Sequence, residues 1–521
     1  MLFNSLEFLL VFLPVCIVLF SLSAKYWGNE AGVFTLVIMS LLFYGYWNLN
    51  YLVLIVASMA GNFWFGRKLG ASRSKTLLTV GVAINLALLG YYKYANFFVD
   101  NLSLVLDANW SIESILLPLA ISFFTFQQIA YLVDSYKGIT HEYNFLHYSL
   151  FVTFFPQLIA GPIVHHNEML PQFKSKKTYR ITKENLAIGL SIFALGLFKK
   201  TVLADGVAIY ASPVFAAVDG GQIIDFFSAW GGALAYTFQL YFDFSGYSDM
   251  AIGLARIFGI ILPLNFYSPY KSTNISEFWR RWHMTLSRFL RDYVYIPLGG
   301  NRHGESRRYT NLFATMLLGG LWHGAGWNFV IWGALQGLYL TLHQFWSLLM
   351  AKLGLQNINN RIYKVMAWTL TFLAVVIGWV FFRATTFEGA IQMLQAMMGV
   401  NGVTLPNAIL SRLGNISTNL ELIGVLSNTQ SGSVFVQTWL WVSLLFGISL
   451  ILPNTQDLFV KVQGSLSKQN CEEKNAIWPI LSLRRTTYWQ YSSRWAVLCG
   501  VALAMGLMTL TQISEFLYFQ F

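Results

Sequence analysis

Charge is scarce in this chain: Asp, Glu, Lys and Arg together make up 11% of its 521 residues. A soluble domain carries about 25%, so a water-facing surface is excluded for most of its length. Cysteine is nearly absent too. Cys16, Cys471 and Cys499 are scattered, with no Cys-x-x-Cys pair and no Cys/His ligand spacing, which argues against a disulfide framework or a structural zinc site. The phosphate loop Gly-x-x-x-x-Gly-Lys-Ser/Thr, the zinc motif His-Glu-x-x-His and the nucleophile elbow Gly-x-Ser-x-Gly are all missing. No long polar stretch interrupts the chain, so no soluble enzyme domain is appended, and no internal repeat is visible.

What remains is apolar. Hydrophobic residues make up 56%, aromatics 17%, and the mean hydropathy is +0.53, as in a polytopic membrane protein. Apolar stretches long enough to enter a bilayer recur from 6–22 to 495–511, which predicts one all-α membrane domain over 1–521 with about eleven full crossings. The stretch 6–22 lacks a basic flank before it and is read as a retained span. Strands have little support, because apolar and polar residues do not alternate over any sustained run.

The net charge of +11 does not point to nucleic acid, because the Lys and Arg residues cluster in loops and report orientation. The basic loops at 67–75, 174–183, 271–308 and 461–494 are placed in the cytoplasm, and the loops 99–113, 204–226 and 401–433, poor in Lys and Arg, outside. Threading the spans between these anchors puts both chain ends outside, the tail 512–521 included. It also leaves 145–164 and 247–262 with the wrong parity for a crossing, so both are expected to be re-entrant around an internal tunnel. Phe155-Pro156 and Gly161-Pro162 are the breaks expected in the first.

Polar residues in apolar surroundings are few and invite a single site. His323 lies within Leu317-Leu-Gly-Gly-Leu-Trp-His-Gly-Ala-Gly-Trp327, at membrane depth, where an ionisable ring needs a functional or hydrogen-bonded reason. Asp243 and Asp249, in Tyr241-Phe-Asp-Phe-Ser-Gly-Tyr-Ser-Asp-Met250, either join that site or serve as a helix cap and a water-interface residue respectively. The run Glu277-Phe-Trp-Arg-Arg-Trp-His-Met-Thr-Leu-Ser-Arg-Phe-Leu-Arg-Asp292 has an amphipathic pattern suited to the inner interface. Its Arg280 and Arg281 could meet lipid headgroups or an anionic donor such as the phosphates of coenzyme A. His165-His166 has no third ligand nearby and makes a poor metal site. His141, His147, His303 and His343 read as loop or interface residues.

Taken together, Phe155-Pro-Gln-Leu-Ile-Ala-Gly-Pro-Ile163, the strings around Asp243 and His283, Arg291-Asp-Tyr-Val-Tyr-Ile-Pro-Leu-Gly-Gly-Asn-Arg302 and Leu317-Leu-Gly-Gly-Leu-Trp-His-Gly-Ala325 resemble the membrane-bound O-acyltransferase family. Within it they look like the bacterial branch that contains the alginate and peptidoglycan O-acetylation membrane subunits. The resemblance implies a multi-pass enzyme of the bacterial inner membrane, with His323 as the essential histidine and His283 as the second. Trp322, Arg280, Arg281, Asp243 and Asp249 are then candidate substrate-binding residues. A neutral imidazole can accept a hydroxyl proton as acyl transfer begins.

The resemblance also implies acetyl-CoA as donor substrate, with no bound cofactor or metal, and a separate extracytoplasmic acetyltransferase partner beside the membrane lipids. Phe516-Leu-Tyr-Phe-Gln-Phe521 looks like the branch's terminal tyrosine motif, which makes Tyr518 a candidate acyl relay; an interface belt of Tyr and Phe is the plainer reading. Gln336 departs from the pattern, in a place where relatives are expected to carry histidine. The implied activity is export of acetyl for O-acetylation of an extracytoplasmic polysaccharide such as alginate or peptidoglycan. The D-alanyl transfer branch shares several strings, but Leu298-Gly-Gly-Asn-Arg302 and the tyrosine motif favour acetyl. A transporter or flippase would explain broken helices but not two histidines.

Overall fold

The computed structural model describes residues 1–140, 144–159, 161–175, 178–355, 360–462, 464–466, 488–510 and 517. His141, Cys471 and Tyr518, with most of the basic segment 461–494 and of the tail 512–521, fall outside that set. Helices dominate because an apolar run can place its backbone at membrane depth only by bonding to itself. Among the described residues, five helices are long and apolar enough to cross a membrane: Phe8–Trp27, Lys75–Val105, Lys183–Asp219, Arg361–Arg383 and Gly432–Val462. Asn29–Gly45 and Ser493–Met508 are shorter and also apolar. The exterior matches such a solvent: Val53 and Leu370 are more than 70% exposed with no apolar partner to cover them. One departure from the all-helical expectation is a short parallel pair, Val403–Pro406 with Val425–Asn428.

The centre is a close pairing of Lys183–Phe198 with the 32-residue helix Phe226–Ile257. Glycines set the distance. A Cβ on Gly189 would meet the Gly253 carbonyl at 2.6 Å, and one on Gly196 would meet the Gly246 carbonyl at 2.7 Å; the reciprocal pairs are as tight. Small residues of this kind let membrane helices approach until their backbones touch.

That packing corrects one expectation. Residues 247–257 are not re-entrant but continue one helix from Phe226, and residues 258–262 leave it as a turn. Gly246 is tolerated mid-helix because it makes the contact with Gly196, and the carboxylates of Asp243 and Asp249 are accommodated because they find cations on the neighbouring segment. Lys200 Nζ meets Asp243 Oδ1 at 2.8 Å and Asp205 Oδ1 at 2.7 Å, while Lys199 Nζ meets Asp249 Oδ2 at 2.7 Å.

The expected break in 145–164 is present. Helix Phe145–Thr153 stops at Phe154 and a short turn Phe155–Leu158 follows; beyond it, the Ile163 N–H donates to Thr285 Oγ1 at 3.0 Å. His147 is buried in that first helix and bonds to Glu30 at 3.0 Å, so it is not a loop residue. Nor is 277–292 one interfacial helix. It forms Ile275–Arg281 and Met284–Leu290 around a bend where Trp282 is extended and His283 takes the left-handed conformation, φ +41°. Phe278, Trp279, Leu286 and Phe289 are buried, because the bend turns them inward, away from an interface.

The glycine contact gives a direct test. Gly196→Leu should destabilise the detergent-purified protein by about 1–3 kcal/mol, as overpacking does. Gly447→Leu, where an added Cβ meets nothing within 4 Å, should leave thermal unfolding close to wild type. Equal midpoints for the two variants would contradict the close-packed pairing.

Candidate active site

His323 ends the helix Gly304–His323, and extended Gly324 turns the chain into Trp327–Lys352. The turn is tight for a steric reason: a Cβ on Gly320 would lie 2.3 Å from the Phe329 carbonyl, and one on Gly324 would lie 2.1 Å from the Phe329 ring. The string Gly-Gly-Leu-Trp-His-Gly thus places the imidazole where a helix stops inside the protein.

A helix that ends in apolar surroundings leaves carbonyls to satisfy. Here two residues of a distant span do so. Tyr94 Oη donates to the Leu321 carbonyl at 2.7 Å, and Lys93 Nζ donates to those of Trp322 at 2.6 Å and His323 at 3.0 Å. Both come from the π-helical turn Gly90–Tyr94, a distortion that is frequent at functional sites. A cation at a helix C-terminus returns about 0.3–1 kcal/mol at the surface and ~2 kcal/mol at best when partly buried. Charge at membrane depth costs roughly 2.5–3.5 kcal/mol even on lenient scales. Capping alone therefore does not account for Lys93.

Aromatic rings enclose the imidazole. Trp322, Trp332 and Phe382 hold their centroids 4.9, 5.0 and 5.1 Å from that of His323, each near edge-on. Trp332 stacks on Trp379 at 5.8 Å, and Trp379 lies 4.9 Å from Trp282, so one wall of rings reaches from His323 to the bend at His283. The two imidazoles come within 6.5 Å, centroid to centroid, although 39 residues separate them in the chain. His283 is fixed more firmly. Asn265 Oδ1 lies 2.9 Å from its Nδ1 and also accepts from Thr285 Oγ1 at 2.9 Å, which makes Nδ1 the protonated nitrogen and leaves the lone pair on Nε2.

The site has an approach. A cavity of about 90 Å³ is lined by Trp47, Lys93, residues 117–123, Trp322 and His323. On another side, Trp322, Phe126, Phe289 and Tyr293 form a column with successive spacings of 5.3, 4.2 and 4.9 Å. It ends in a polar cluster in which Tyr293 bonds to Asp134 at 2.7 Å and Arg288 forks onto Glu168 at 2.5 and 2.8 Å. His165 and His166 belong to that cluster, at 3.3 Å from Tyr293 and Asp134 respectively.

Of the residues singled out in the sequence, His323, His283 and Trp322 are therefore brought together. Asp243 and Asp249 are engaged elsewhere. Asp243 is mid-helix rather than a cap, and it faces Lys200 and the backbone N–H of buried Leu517 at 3.2 Å. Asp249 is buried rather than at a water interface, with Thr455 at 2.7 Å and Gln456 at 3.2 Å beside Lys199. Arg281 is buried against Glu277 at 2.8 Å, whereas Arg280 is exposed. Lys93 and Asn265 were passed over. The signal for Lys93 was a lone cation within an apolar span; Asn265 offered none.

Comparison with known proteins places this geometry. Residues 135–382, which include both histidines, match the model of MBOAT, the membrane-bound O-acyltransferase family. The chain is 45% identical to the peptidoglycan O-acetyltransferase of Helicobacter pylori, over 78% of this chain and 81% of that one. It is 44% identical to the probable alginate O-acetylase AlgI of Pseudomonas aeruginosa, over 76% and 75%. Similarity to the teichoic acid D-alanyltransferase of Streptococcus thermophilus is lower, 29% over 52% of this chain and 69% of that one. With relatives matched over most of their length and the histidine pair inside the matched region, the chain belongs to the membrane-bound O-acyltransferase family.

Proposed function

We propose that this protein is a multi-pass O-acetyltransferase of the bacterial inner membrane, with about eleven crossings, that passes acetyl from cytosolic acetyl-CoA toward the hydroxyls of an extracytoplasmic polysaccharide. The observation that carries the reading is the pair of buried imidazoles inside one aromatic cage, reached by a cavity, in a chain whose relatives are O-acetyltransferases. His323 takes the proton of the attacking hydroxyl, and His283, oriented by Asn265, holds the donor or a partner group. The rings around them exclude water that would otherwise hydrolyse the thioester. D-alanyl transfer is the second reading, supported by the more distant relative. The higher identity and longer coverage of the acetylating relatives favour acetyl.

The polymer is alginate- or peptidoglycan-like, and a separate extracytoplasmic acetyltransferase receives the group. Tyr518 is a candidate carrier, because a phenol ester gives up its acyl group more readily than an alkyl ester, phenol having a pKa of about 10. The bond from Leu517 to Asp243 supports a tail that reaches back among the helices. With Arg281 occupied by Glu277, the exposed Arg280 is the better candidate for the phosphates of coenzyme A; lipid headgroups are the other candidate.

Purified His323→Gln should remain folded and lose at least ~100-fold in acetyl-CoA cleavage, the scale of a missing general base. Turnover near wild type would refute the mechanism. His283→Gln should lose less, and chiefly through a raised KM. Tyr518→Phe should keep some thioester cleavage while polymer acetylation disappears, and mass spectrometry of wild type incubated with acetyl-CoA should find a labile acetyl on the C-terminal peptide. A fully active Phe variant would remove the relay. Arg280→Ala should weaken acetyl-CoA binding without lowering the amount of protein inserted in membranes, and the reverse outcome would assign it to lipid.

A further inference from the structure

Lys93 has three N–H donors and a use for two of them in capping. The carbonyls of Trp322 and His323 take those at 2.6 and 3.0 Å; the remaining contact, to Ser122 Oγ, is long at 3.5 Å. Among the described residues no carboxylate lies within ion-pair distance of the ammonium. The ammonium lies 6.0 Å from the centre of the Trp322 ring. Lys93, Ser122, Trp322 and His323 all line that one cavity. An anionic oxygen arriving beside His323 would therefore find a cation whose third donor makes only a long contact, to another residue of the cavity lining.

We infer that Lys93 binds the acyl carbonyl oxygen during transfer at His323 and stabilises the oxyanion that forms there. The inference rests on the acyl-transfer reading above. As the acceptor oxygen bonds to the thioester carbon, the C=O π pair moves onto the carbonyl oxygen and the hydroxyl proton passes to the His323 imidazole. The third N–H of Lys93 turns from Ser122 to that oxygen, and Lys93 keeps its proton throughout. When the C=O bond re-forms, the C–S bond breaks, and the departing thiolate takes the proton from His323. A preorganised cation in a water-poor site is effective in this role because it need not reorganise as charge develops. The other two N–H bonds, to the backbone carbonyls of Trp322 and His323, keep cation and base at a fixed separation.

The test separates charge from capping. Lys93→Gln retains two N–H donors for the carbonyls and removes the charge; kcat should fall about 100-fold while KM for acetyl-CoA changes by less than about threefold. Tyr94→Phe loosens the same helix end without touching the cation, and should lower the melting temperature while kcat stays within about threefold of wild type. A purely structural Lys93 predicts parallel losses in both variants and overturns the inference. Infrared spectroscopy gives an independent readout: [1-13C]acetyl-CoA bound to His323→Gln should show its carbonyl stretch at lower frequency than free acetyl-CoA, and the shift should vanish when Lys93→Gln is added. A bound carbonyl at the free frequency with Lys93 intact overturns the oxyanion role alone. No bound carbonyl band at all overturns the donor reading and the role of Lys93 with it.

Discussion

Every polar group in this protein that lies at membrane depth must find its partner inside the protein, because lipid offers none. Much of the architecture follows from that requirement. The helix Lys183–Phe198, continued by the π-helical turn Lys199–Ala204, and the helix Phe226–Ile257 can carry Lys199, Lys200, Asp243 and Asp249 only because their glycines bring the backbones close enough for ammonium and carboxylate to meet at 2.7–2.8 Å. Separate the helices by one side chain and those charges would be stranded. The small residues and the ion pairs are thus one device, and it leaves the opposite side of the long helix, with Phe244 at 4.8 Å from His283, to face the site.

The same requirement explains where the histidines sit. An imidazole in mid-helix would have its backbone satisfied and its side chain crowded by the next turn. At a helix end the imidazole projects into open space, but the last carbonyls then need donors, and Lys93 and Tyr94 provide them from another span. His283 is at a corner for a related reason. Its left-handed backbone costs energy for a residue with a Cβ; Asn265 offsets part of that cost by bonding to its ring, to Thr285 and, through its backbone carbonyl, to the N–H of Met284 at 2.9 Å.

How much of this could be read beforehand depended on the kind of contact. The Trp-His-Gly string singles out His323 because a titratable ring in an apolar run has few explanations, and the structure buries it at a helix end; Phe155-Pro156 announced its break because proline cannot continue a helix. The re-entrant reading of 247–262 failed because it rested on the parity of charged loops along the chain, which cannot register that Gly196, Lys199 and Lys200 of a neighbouring segment make Gly246, Asp243 and Asp249 compatible with one continuous helix. The amphipathic reading of 277–292 failed because periodicity says nothing about a single left-handed residue. Lys93 was hidden by distance, since what it caps lies 229 residues along the chain.

Gln336 shows how the long-range contacts bear on the chemistry. It stands where a third histidine was expected, yet it is buried and accepts a hydrogen bond from the Trp279 indole at 3.2 Å. Trp279 packs on Trp332 at 5.9 Å, and Trp332 is one wall of the cage around His323. The requirement at this position is an acceptor that fits between Trp279 and Gly378, where a Cβ would come within 2.8 Å of the Gln336 amide nitrogen. An imidazole nitrogen could accept the same indole proton, so histidine and glutamine are exchangeable in that task. Gln336 is separated from His323 by two rings, Trp279 and Trp332. Its work is to hold Trp279 and, through it, the wall that keeps His323 facing the cavity.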